Sequence, residues 1–471
     1  MLPAGYGRAI LLPSFAVIWL SLWPSAPAAA LTQEQITAEA LAAYNNMSAG
    51  YNWTSFQHIF LDPGSRQYEA GYLAWSEAYN GRARLSRFLE SGQASHFNYL
   101  LNSAEAIYAA RADRVNPPLS DGIRGRVMPA WVSKLYTGGT NYAWLVHQGM
   151  EMHPVVTAIA RLRNDPVLWP TYQARAEAII NDTITTLDSF ESEFKMTYSL
   201  PHAGDANSDG RVNVGDLGIV ACNWGQSPRT WQQGDFTSDR VVNVGDLAVV
   251  AADWGWSGPP PSPIDWYYYD PYTHGRLPYN MQNAAGEVYI ALWQITGQQR
   301  FRDRAEQLAK EMKTGLVLVG DRYDWGYYQG QGGEDISHAG INVHFMVDAY
   351  EAGIVLDLTD IDRLCNTLRF MHRGNAFTDN VNGSGAVSTG NVPLAAQWLG
   401  LLAYDGALRQ ELWPTFAPIC SSPSCLALDA AAYFVQTGQA YSSQQAPSVP
   451  EPAGLALLGL GSLAMLRRRH S

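Results

Sequence analysis

One short stretch of the chain carries a carboxylate, an imidazole and an amide at helical spacing. Asp335, His338 and Asn342 are separated by three and four residues, so a helix brings them within about 60° of arc on one face. Polar groups that lean toward a protein interior are costly unless they are paired or functional. The trio is therefore a candidate site for acid–base chemistry. Alternatively, Asp335 caps the helix and His338 bonds a loop carbonyl. The same pattern turns three other side chains the opposite way: Glu334, His344 and Asp348.

Two further polar strips have the same character. Asn280 and Asn283 share a helical face just after Tyr279, and their amides could bond sugar hydroxyls or a carboxylate, or could cap the helix that begins there. His147 and Glu151 are four residues apart and form either part of a site or a structural His–Glu pair. No third zinc ligand accompanies them, so a zinc site is not expected at this strip.

Aromatic residues cluster near these strips. Residues 323–328 include Trp325 and Tyr328. Aromatic faces stack on sugar rings and tyrosine hydroxyls bond sugar oxygens, so we predict that these two contact a carbohydrate. Most of the 16 tryptophans and 25 tyrosines must still belong to the core.

The middle of the chain, residues 204–257, is one unit written twice with an offset of 30 residues. Each copy has oxygen-bearing groups at alternate positions of a twelve-residue loop, which is the ligand pattern of a calcium site. We predict Ca²⁺ as the cofactor, bound in the first copy and less securely in the second, where Thr237 and Arg240 replace Asn and Gly. The alternative is a pair of polar turns that bind nothing. The predicted metal ligands are Asp205, Asn207, Asp209, Arg211, Asn213 and Asp216 in the first loop, and Asp235, Thr237, Asp239, Val241, Asn243 and Asp246 in the second, with residues 211 and 241 contributing main-chain carbonyls.

Each loop is followed by one helix and preceded by none. In this respect the repeat resembles a dockerin-type tandem, which implies two EF-hand-like loops and a cohesin-like protein partner. Both copies have Val-Gly after the fifth ligand position, where dockerins usually carry polar pairs, so the resemblance implies calcium more strongly than docking.

The segments on either side of the repeat read as about eleven helices of 12–25 residues with apolar spacing near 3.6. We predict a mainly α fold, an (α/α) toroid of about five or six helical hairpins with the calcium module inserted as a surface excursion. The alternative is an irregular helical array. The expected domains are 1–30, a signal peptide; 31–203, the first half of the toroid; 204–257, the calcium module; 258–440, a proline-rich linker and the second half; and 441–471, a sorting tail.

The helical blocks resemble the toroids of polysaccharide lyases and of several glycosidase families. Resemblance to the lyases implies that His338 or Tyr279 is base or acid in the β-elimination of a uronate, with an amide from Asn280, Asn283 or Asn342 at the carboxylate. Resemblance to the glycosidases implies two facing carboxylates instead. The pairs considered join Asp335 or Glu334 to Glu151, Asp324 or Glu287. A third hypothesis is a non-catalytic glycan-binding or scaffolding protein.

Both ends of the chain carry targeting signals. Arg8, an apolar run and Ala28-Ala29-Ala30 form a signal peptide. The end, Val449-Pro450-Glu451-Pro452 followed by an apolar run and three arginines, resembles the PEP-CTERM sorting tail, which implies recognition by exosortase-type machinery. The net charge of −12 and pI near 5.3 argue against nucleic acid as a partner. We therefore predict an exported, cell-surface-sorted protein that degrades a polysaccharide.

Overall fold

The structure is a computed structural model that describes residues 31–53, 69–198, 202–258 and 263–445. The signal peptide, residues 259–262 of the linker and residues 446–471 of the sorting tail lie outside these ranges. The α-helices are α1 (Gln33–Gly50), α2 (Ala70–Tyr72), α3 (Ala78–Ser91), α4 (Ala94–Ala109), α5 (Leu145–Leu162), α6 (Trp169–Asp188), α7 (Val214–Cys222), α8 (Val244–Ala252), α9 (Tyr279–Thr296), α10 (Gln299–Gly315), α11 (Ile336–Glu351), α12 (Leu358–Met371), α13 (Gly406–Phe416) and α14 (Cys425–Gln445). A π-helical turn, Leu73–Glu77, joins α2 to α3, and Leu394–Ala403 is a long 3₁₀ segment.

The strands are short and mostly pair with their nearest neighbours in the chain. They are β1 (Ser120–Asp121), β2 (Arg126–Val127), β3 (Phe194–Tyr198), β4 (Pro263–Asp270), β5 (Gly275–Arg276), β6 (Val317–Val319), β7 (Arg322–Asp324), β8 (His372–Arg373), β9 (Ala376–Thr378) and β10 (Val387–Ser388). All pairings are antiparallel, in the orders β1-β2, β3-β4-β5, β6-β7 and β10-β9-β8. The prediction of a mainly helical protein is confirmed.

Helix boundaries follow local sequence signals. Thr32 caps α1 in a capping box with Gln35, and Asp357 caps α12 in the same way with Asp360. Helices α3 and α9 each stop at a left-handed glycine. Helix α13 was not predicted from the sequence, because Pro414 lies inside it and reads as a helix breaker.

Six of the helical elements form a closed series, which we call the inner series. In order, α3 packs on α5, α5 on α9, α9 on α11, α11 on the 3₁₀ segment, the 3₁₀ segment on α14, and α14 returns to α3. Six outer helices pack on this series and alternate with it along the chain: α1 on α14, α4 on α3, α6 on α5, α10 on α9, α12 on the 3₁₀ segment and α13 on α14. One hydrophobic core runs through them from Ile36 to Val435.

The repeat leaves this body between β3 and β4, which are paired from Phe194 opposite Tyr268 to Tyr198 opposite Pro263. It has a small core of its own, which lines up corresponding residues of the two copies: Ala206, Val212 and Val220 with Phe236, Val242 and Val250. The amide of Val212 donates to the carbonyl of Trp256 at 3.0 Å, so the two ends of the repeat meet.

We predict that Gly149→Ala destabilises the inner series. A Cβ at Gly149 would lie 2.4 Å from the carbonyl carbon of Ala284, a main-chain atom of α9 that cannot move aside as a flexible side chain does. Overpacking of this kind costs about 1–3 kcal/mol, measured as a shift in the urea unfolding curve followed by circular dichroism.

Gly400→Ala is the matched control. Gly400 is also in the inner series, but its added Cβ would meet Val347 at an ordinary 3.5 Å. Equal stability losses in the two variants would contradict the close α5–α9 contact.

Candidate functional site

Asp335 and His338 form a hydrogen-bonded pair at the start of α11. One carboxylate oxygen of Asp335 accepts from the main-chain amides of Ser337 and His338, at 3.1 and 3.2 Å, and so caps the helix. The other oxygen lies 2.5 Å from His338 Nδ1. Burial by itself would raise the pKa of Asp335, but the hydrogen bonds from His338 and Ser337 outweigh it and hold that pKa well below its usual range.

The pair is accessible, with 43% of the Asp335 side chain and 34% of the His338 side chain exposed. Because Nδ1 is held by Asp335, the ring presents Nε2, which makes no hydrogen bond to any other described residue. A carboxylate that orients an imidazole in this way is the arrangement of a general base.

Aromatic rings surround His338. The Trp75 ring lies 6.3 Å from the His338 ring and 5.8 Å from the His147 ring, centroid to centroid, and so neighbours both histidines. On another side, Tyr327 lies 5.3 Å from His338 and 5.1 Å from Tyr328. We call Trp75, His147, Tyr327, Asp335 and His338 the His338 site. Its members come from the π-helical turn before α3, the start of α5, the loop after β7 and the start of α11, so it lies where inner elements begin.

His147 is the buried member of this site. Its Nδ1 has no hydrogen-bond partner in the described part of the chain, and burial lowers its pKa to about 3. The imidazole is therefore neutral at physiological pH. Glu151, one turn further along α5, makes no hydrogen bond with it, so the structural His–Glu pair is not formed.

The third member of the predicted polar trio, Asn342, points into the protein. Its amide donates to Glu334 at 2.7 Å and its carbonyl accepts from Asn283, also at 2.7 Å, which links α9 to α11. Burial, and then the charge of Asp335, raise the pKa of Glu334 well above its usual value. Asn280 lies one turn before Asn283 and is also buried, but neither its amide nitrogen nor its oxygen has a partner among the described residues.

Four other predicted residues lie apart from the pair formed by Asp335 and His338: Tyr279, Trp325, Tyr328 and Glu151. The side chain of Tyr279 is buried against Gly315 of α10, and burial and the charge of Glu311 raise its pKa. Trp325 has no exposed surface and stacks on Trp398, which leaves no free face for a sugar ring.

Tyr328 is half-buried beside Tyr327 and keeps an accessible face. Glu151 lines a cavity of about 10 Å³ between α3, α4 and α5. Both of its carboxylate oxygens are buried without partners, and burial, and then the charge of Glu69, raise its pKa well above the usual value.

Sequence reasoning did not select Trp75 or Tyr327. Trp75 lies four residues before Tyr79 on a segment correctly predicted as helix, and the two pack in the same small cluster with Met281. A spacing of four residues indicates that Trp75 and Tyr79 share one face of a helix, but it does not distinguish a functional site from a hydrophobic core. Tyr327 lies in the aromatic run from which Trp325 and Tyr328 were chosen, and only the fold determines which ring faces His338.

The first repeat loop is closed by its two terminal aspartates. The carboxylate of Asp205 accepts from the amides of Asp209 and Gly210, and that of Asp216 accepts from Asn207 and Asn213. The remaining predicted ligands, Asn207, Asp209, Arg211 and Asn213, are spaced along the turn between them. Gly210 takes a left-handed φ of 81°, as the sharp turn requires.

The second loop has the same form, but it places an arginine where the first loop has Gly210. Asp235 accepts from Arg240, and Asp246 accepts from Thr237 and Asn243. Asp239 and Val241 complete the turn. Arg240 occupies the position of Gly210 with a φ of 69°, which is unfavourable for a residue with a Cβ. One carboxylate oxygen of Asp235 is buried without a partner, so an electron-rich atom faces inward with nothing to satisfy it.

Comparison with known families identifies one motif. The PEP-CTERM protein-sorting motif matches residues 448–469, beyond the described part of the chain. No curated protein and no solved structure matches the sequence. In the described ranges, every helix is too short or too polar to cross a bilayer. The motif marks a protein that is exported, recognised by exosortase-type sorting machinery and sorted to the cell surface, so the predicted localisation is confirmed.

The raised pKa of Glu151 leads to a prediction about stability and pH. A carboxyl group whose pKa is higher in the folded than in the unfolded protein stabilises the fold at low pH. That contribution is lost as pH rises above about 4.3, the unfolded value, toward the folded pKa. We therefore expect Glu151→Gln, which is neutral at every pH, to raise the melting temperature relative to wild type at pH 9 and to change it little at pH 4.5.

A gain of roughly 1 kcal/mol corresponds to a rise of about 2 °C in a domain of this size, which differential scanning calorimetry detects. Glu177→Gln, at an exposed position of α6, is the control. If Glu151→Gln changed the melting temperature equally at both pH values, the raised pKa of Glu151 would be contradicted.

Proposed function

We propose that this exported protein is a polysaccharide lyase that cleaves a uronate-containing glycan by β-elimination. The proposed scaffold is an (α/α) toroid in which the inner series is the inner layer and the six outer helices are the outer layer. The support for this scaffold is the closed order of contacts and the strict alternation of inner and outer elements along the chain.

The observation that carries the proposal is the Asp335–His338 pair, with Nε2 open among aromatic rings. In β-elimination the C5–H bond of the uronate breaks and its proton passes to His338 Nε2. The electron pair forms the C4–C5 double bond as the C4–O4 bond breaks, and O4 takes a proton from an acid. Asp335 stabilises the imidazolium that results.

Tyr327 is the proposed acid. Burial, and then the charges of Tyr328 and Glu334, raise the pKa of its hydroxyl, so it keeps its proton at neutral pH and has one to give. The sequence offered Tyr279 or His338 as base or acid, but the Tyr279 hydroxyl is enclosed between α9 and α10.

Recognition of the uronate needs groups that bond its carboxylate. Asn283 and Asn342 are already committed to each other and to Glu334. The amide of Asn280 has no partner and lies in the first turn of α9, so it is the amide we assign to the substrate carboxylate. The neutral imidazole of His147 is a second hydrogen-bonding group at the same end, and Trp75 and Tyr328 offer rings for sugar stacking.

A glycosidase mechanism has less support, because it requires two carboxylates on opposite sides of the bond to be cleaved. Of the three proposed partners for Asp335, Asp324 is occupied at one carboxylate oxygen by the amide of Gly333 at 3.0 Å, and the other two lie elsewhere. Glu151 lies between α3, α4 and α5, and Glu287 is fully buried in an ion pair with Arg82.

Calcium binding by the repeat loops is the second part of the proposal. Each loop has two fixed terminal carboxylates and further oxygens from the turn, a donor set that suits a hard dication. The unpartnered oxygen of Asp235 is the kind of atom that such an ion satisfies. The residues that would hold Ca²⁺ are those predicted from the sequence.

The module also has a duplicated apolar surface. Val214 and Val244 occupy equivalent positions in the two copies and are 73% and 70% exposed, and Trp224 and Trp254 form a second exposed pair. Exposed apolar groups repeated in this way support docking to a protein partner. The resemblance to dockerins leads us to propose that this partner is a cohesin-like protein.

For catalysis, we expect His338→Gln and Asp335→Asn to lower the rate of lyase action by about 10²–10⁴-fold, the usual contribution of a positioned acid or base. The measurement is the ultraviolet absorbance of the unsaturated uronate during incubation with a panel of acidic polysaccharides. His96→Gln, on outer helix α4, should keep the wild-type rate.

If wild-type protein released reducing ends from neutral glycans without this absorbance, a hydrolase would replace the lyase. Glycan binding without turnover would favour the non-catalytic hypothesis. Full activity in both the His338 and Asp335 variants would remove the pair from the mechanism.

For calcium, we expect isothermal titration of the full-length mature protein to show two sites of unequal affinity. Asp205→Ala should abolish the tighter site. Arg240→Gly should tighten the weaker one by about fivefold, because it relieves roughly 1 kcal/mol of left-handed strain. Heat of binding that is unchanged by both substitutions would contradict the assignment of these loops.

A further inference from the structure

A second group of polar and charged side chains lies inside the body, on four consecutive inner helices. We call it the buried charge cluster: Arg82 on α3, His153 on α5, Glu287 on α9, and His344 and Asp348 on α11. Glu287 is its hub, with Arg82 Nη2 at 3.3 Å, His153 Nδ1 at 3.2 Å and His344 Nδ1 at 3.1 Å. None of these residues belongs to the His338 site, and the proposed lyase mechanism uses none of them.

Three atoms of this cluster are spaced as metal ligands are. His153 Nε2 lies 3.6 Å from Asp348 Oδ2, and His344 Nδ1 lies 3.7 Å from the same oxygen. The three atoms all lie within 4.8 Å of one another. In a tetrahedral zinc site with bonds of about 2.0–2.2 Å, neighbouring ligand atoms are about 3.3–3.6 Å apart. The two nitrogen–oxygen distances are therefore close to those of a zinc site.

The other nitrogen of each histidine lies beside a polar group, as it does in metal-bound histidines. His153 Nδ1 faces Glu287, and His344 Nε2 lies 3.1 Å from the hydroxyl of Tyr433 on α14. A partner on one ring nitrogen selects the tautomer that presents the other nitrogen to the metal. These contacts direct His153 Nε2 and His344 Nδ1 toward Asp348.

The ligand atoms also lack satisfactory partners within the protein. His153 is 1% exposed, and neither of its ring nitrogens makes an aligned hydrogen bond among the described residues. His344 Nδ1 and one oxygen of Glu287 are also buried without an aligned hydrogen bond among the described residues. Four buried polar atoms of one cluster that lack aligned hydrogen bonds are costly unless a bound group satisfies them.

We propose that His153, His344 and Asp348 bind a divalent transition-metal ion of the zinc class, with Glu287 as the supporting carboxylate. Imidazole and carboxylate ligands suit such an ion, whereas the all-oxygen repeat loops suit calcium. The carboxylates of Glu287 and Asp348 offset the charge of the divalent ion. The site opens on one side, since 28% of the Asp348 side chain and 14% of the His344 side chain are exposed.

The ion would join α5 to α11, which lie on either side of α9 in the inner series. It would therefore cross-link three consecutive inner helices, because Glu287 of α9 lies 3.2 Å from His153 Nδ1 and 3.1 Å from His344 Nδ1. A bond that spans α9 stabilises the closed arrangement independently of any substrate.

The test is zinc titration of the full-length mature protein without a histidine tag, first stripped with a chelator and then held in saturating calcium so that the repeat loops are filled. We expect one zinc ion per chain and a higher melting temperature. Cobalt should give the visible absorption bands of tetrahedral coordination. Asp348→Asn and His344→Gln should each weaken binding by at least about 10–100-fold.

Asp362→Asn, an exposed position on neighbouring helix α12, is the matched control and should bind zinc as the wild type does. Circular dichroism and calcium titration of each variant establish that it is folded. Absence of zinc binding in the wild type would overturn the proposal. So would binding of unchanged affinity in folded Asp348→Asn and His344→Gln.

Discussion

Closure of the inner series is the constraint on which the rest of the structure depends. Helix α14 packs against both α3 and α1, so the two ends of the described chain must meet before every inner element has two neighbours. Polar contacts fix this junction. Arg409 donates to the carbonyl of Gln33 at 3.1 Å and to Thr37 at 2.8 Å, and the Trp413 indole donates to Glu39 at 2.7 Å. These bonds join residues more than 370 positions apart, and they select one way of closing the body.

Closure also explains why so many polar side chains are buried in the inner helices. The chain from Asn283 through Asn342 to Glu334 and the buried charge cluster are both assembled from different inner elements. An unpaired buried charge is strongly destabilising, and a paired one is tolerated only when its geometry is good. The inner helices must therefore keep their relative register, and this register is what brings His147 and His338 close to the same ring, Trp75.

Much of the secondary structure could be predicted from the sequence, because caps and apolar periodicity act locally. Eleven helical segments were predicted in the body, and they were found close to the expected positions. Which side of an inner helix faces which neighbour could not be predicted. His344 and Asp348 were expected to lie on the face of the helix opposite to Asp335, His338 and Asn342. Instead, His344 contacts Glu287 of α9. Asn342 contacts Glu334, which was also expected on the opposite face. A helix with packed neighbours on most sides has no single apolar face, so its amphipathic pattern does not define direction. The Asp335–His338 pair was predictable because its contact is local, three residues apart on one helix.

The antiparallel pairing of β3 with β4 has a consequence for how the two halves of the body find each other. The strands end at Tyr198 and begin again at Pro263, so the whole repeat occupies the position of a hairpin turn. The entropy of closing a loop grows only with the logarithm of its length, by about 0.6 kcal/mol per doubling. Because the repeat has its own small core and its ends meet at Val212 and Trp256, it behaves as a much shorter connection than its residue count implies. A domain inserted at such a point changes the folding free energy of the helical body little. The tip of this hairpin is therefore a suitable position for exchanging one accessory domain for another.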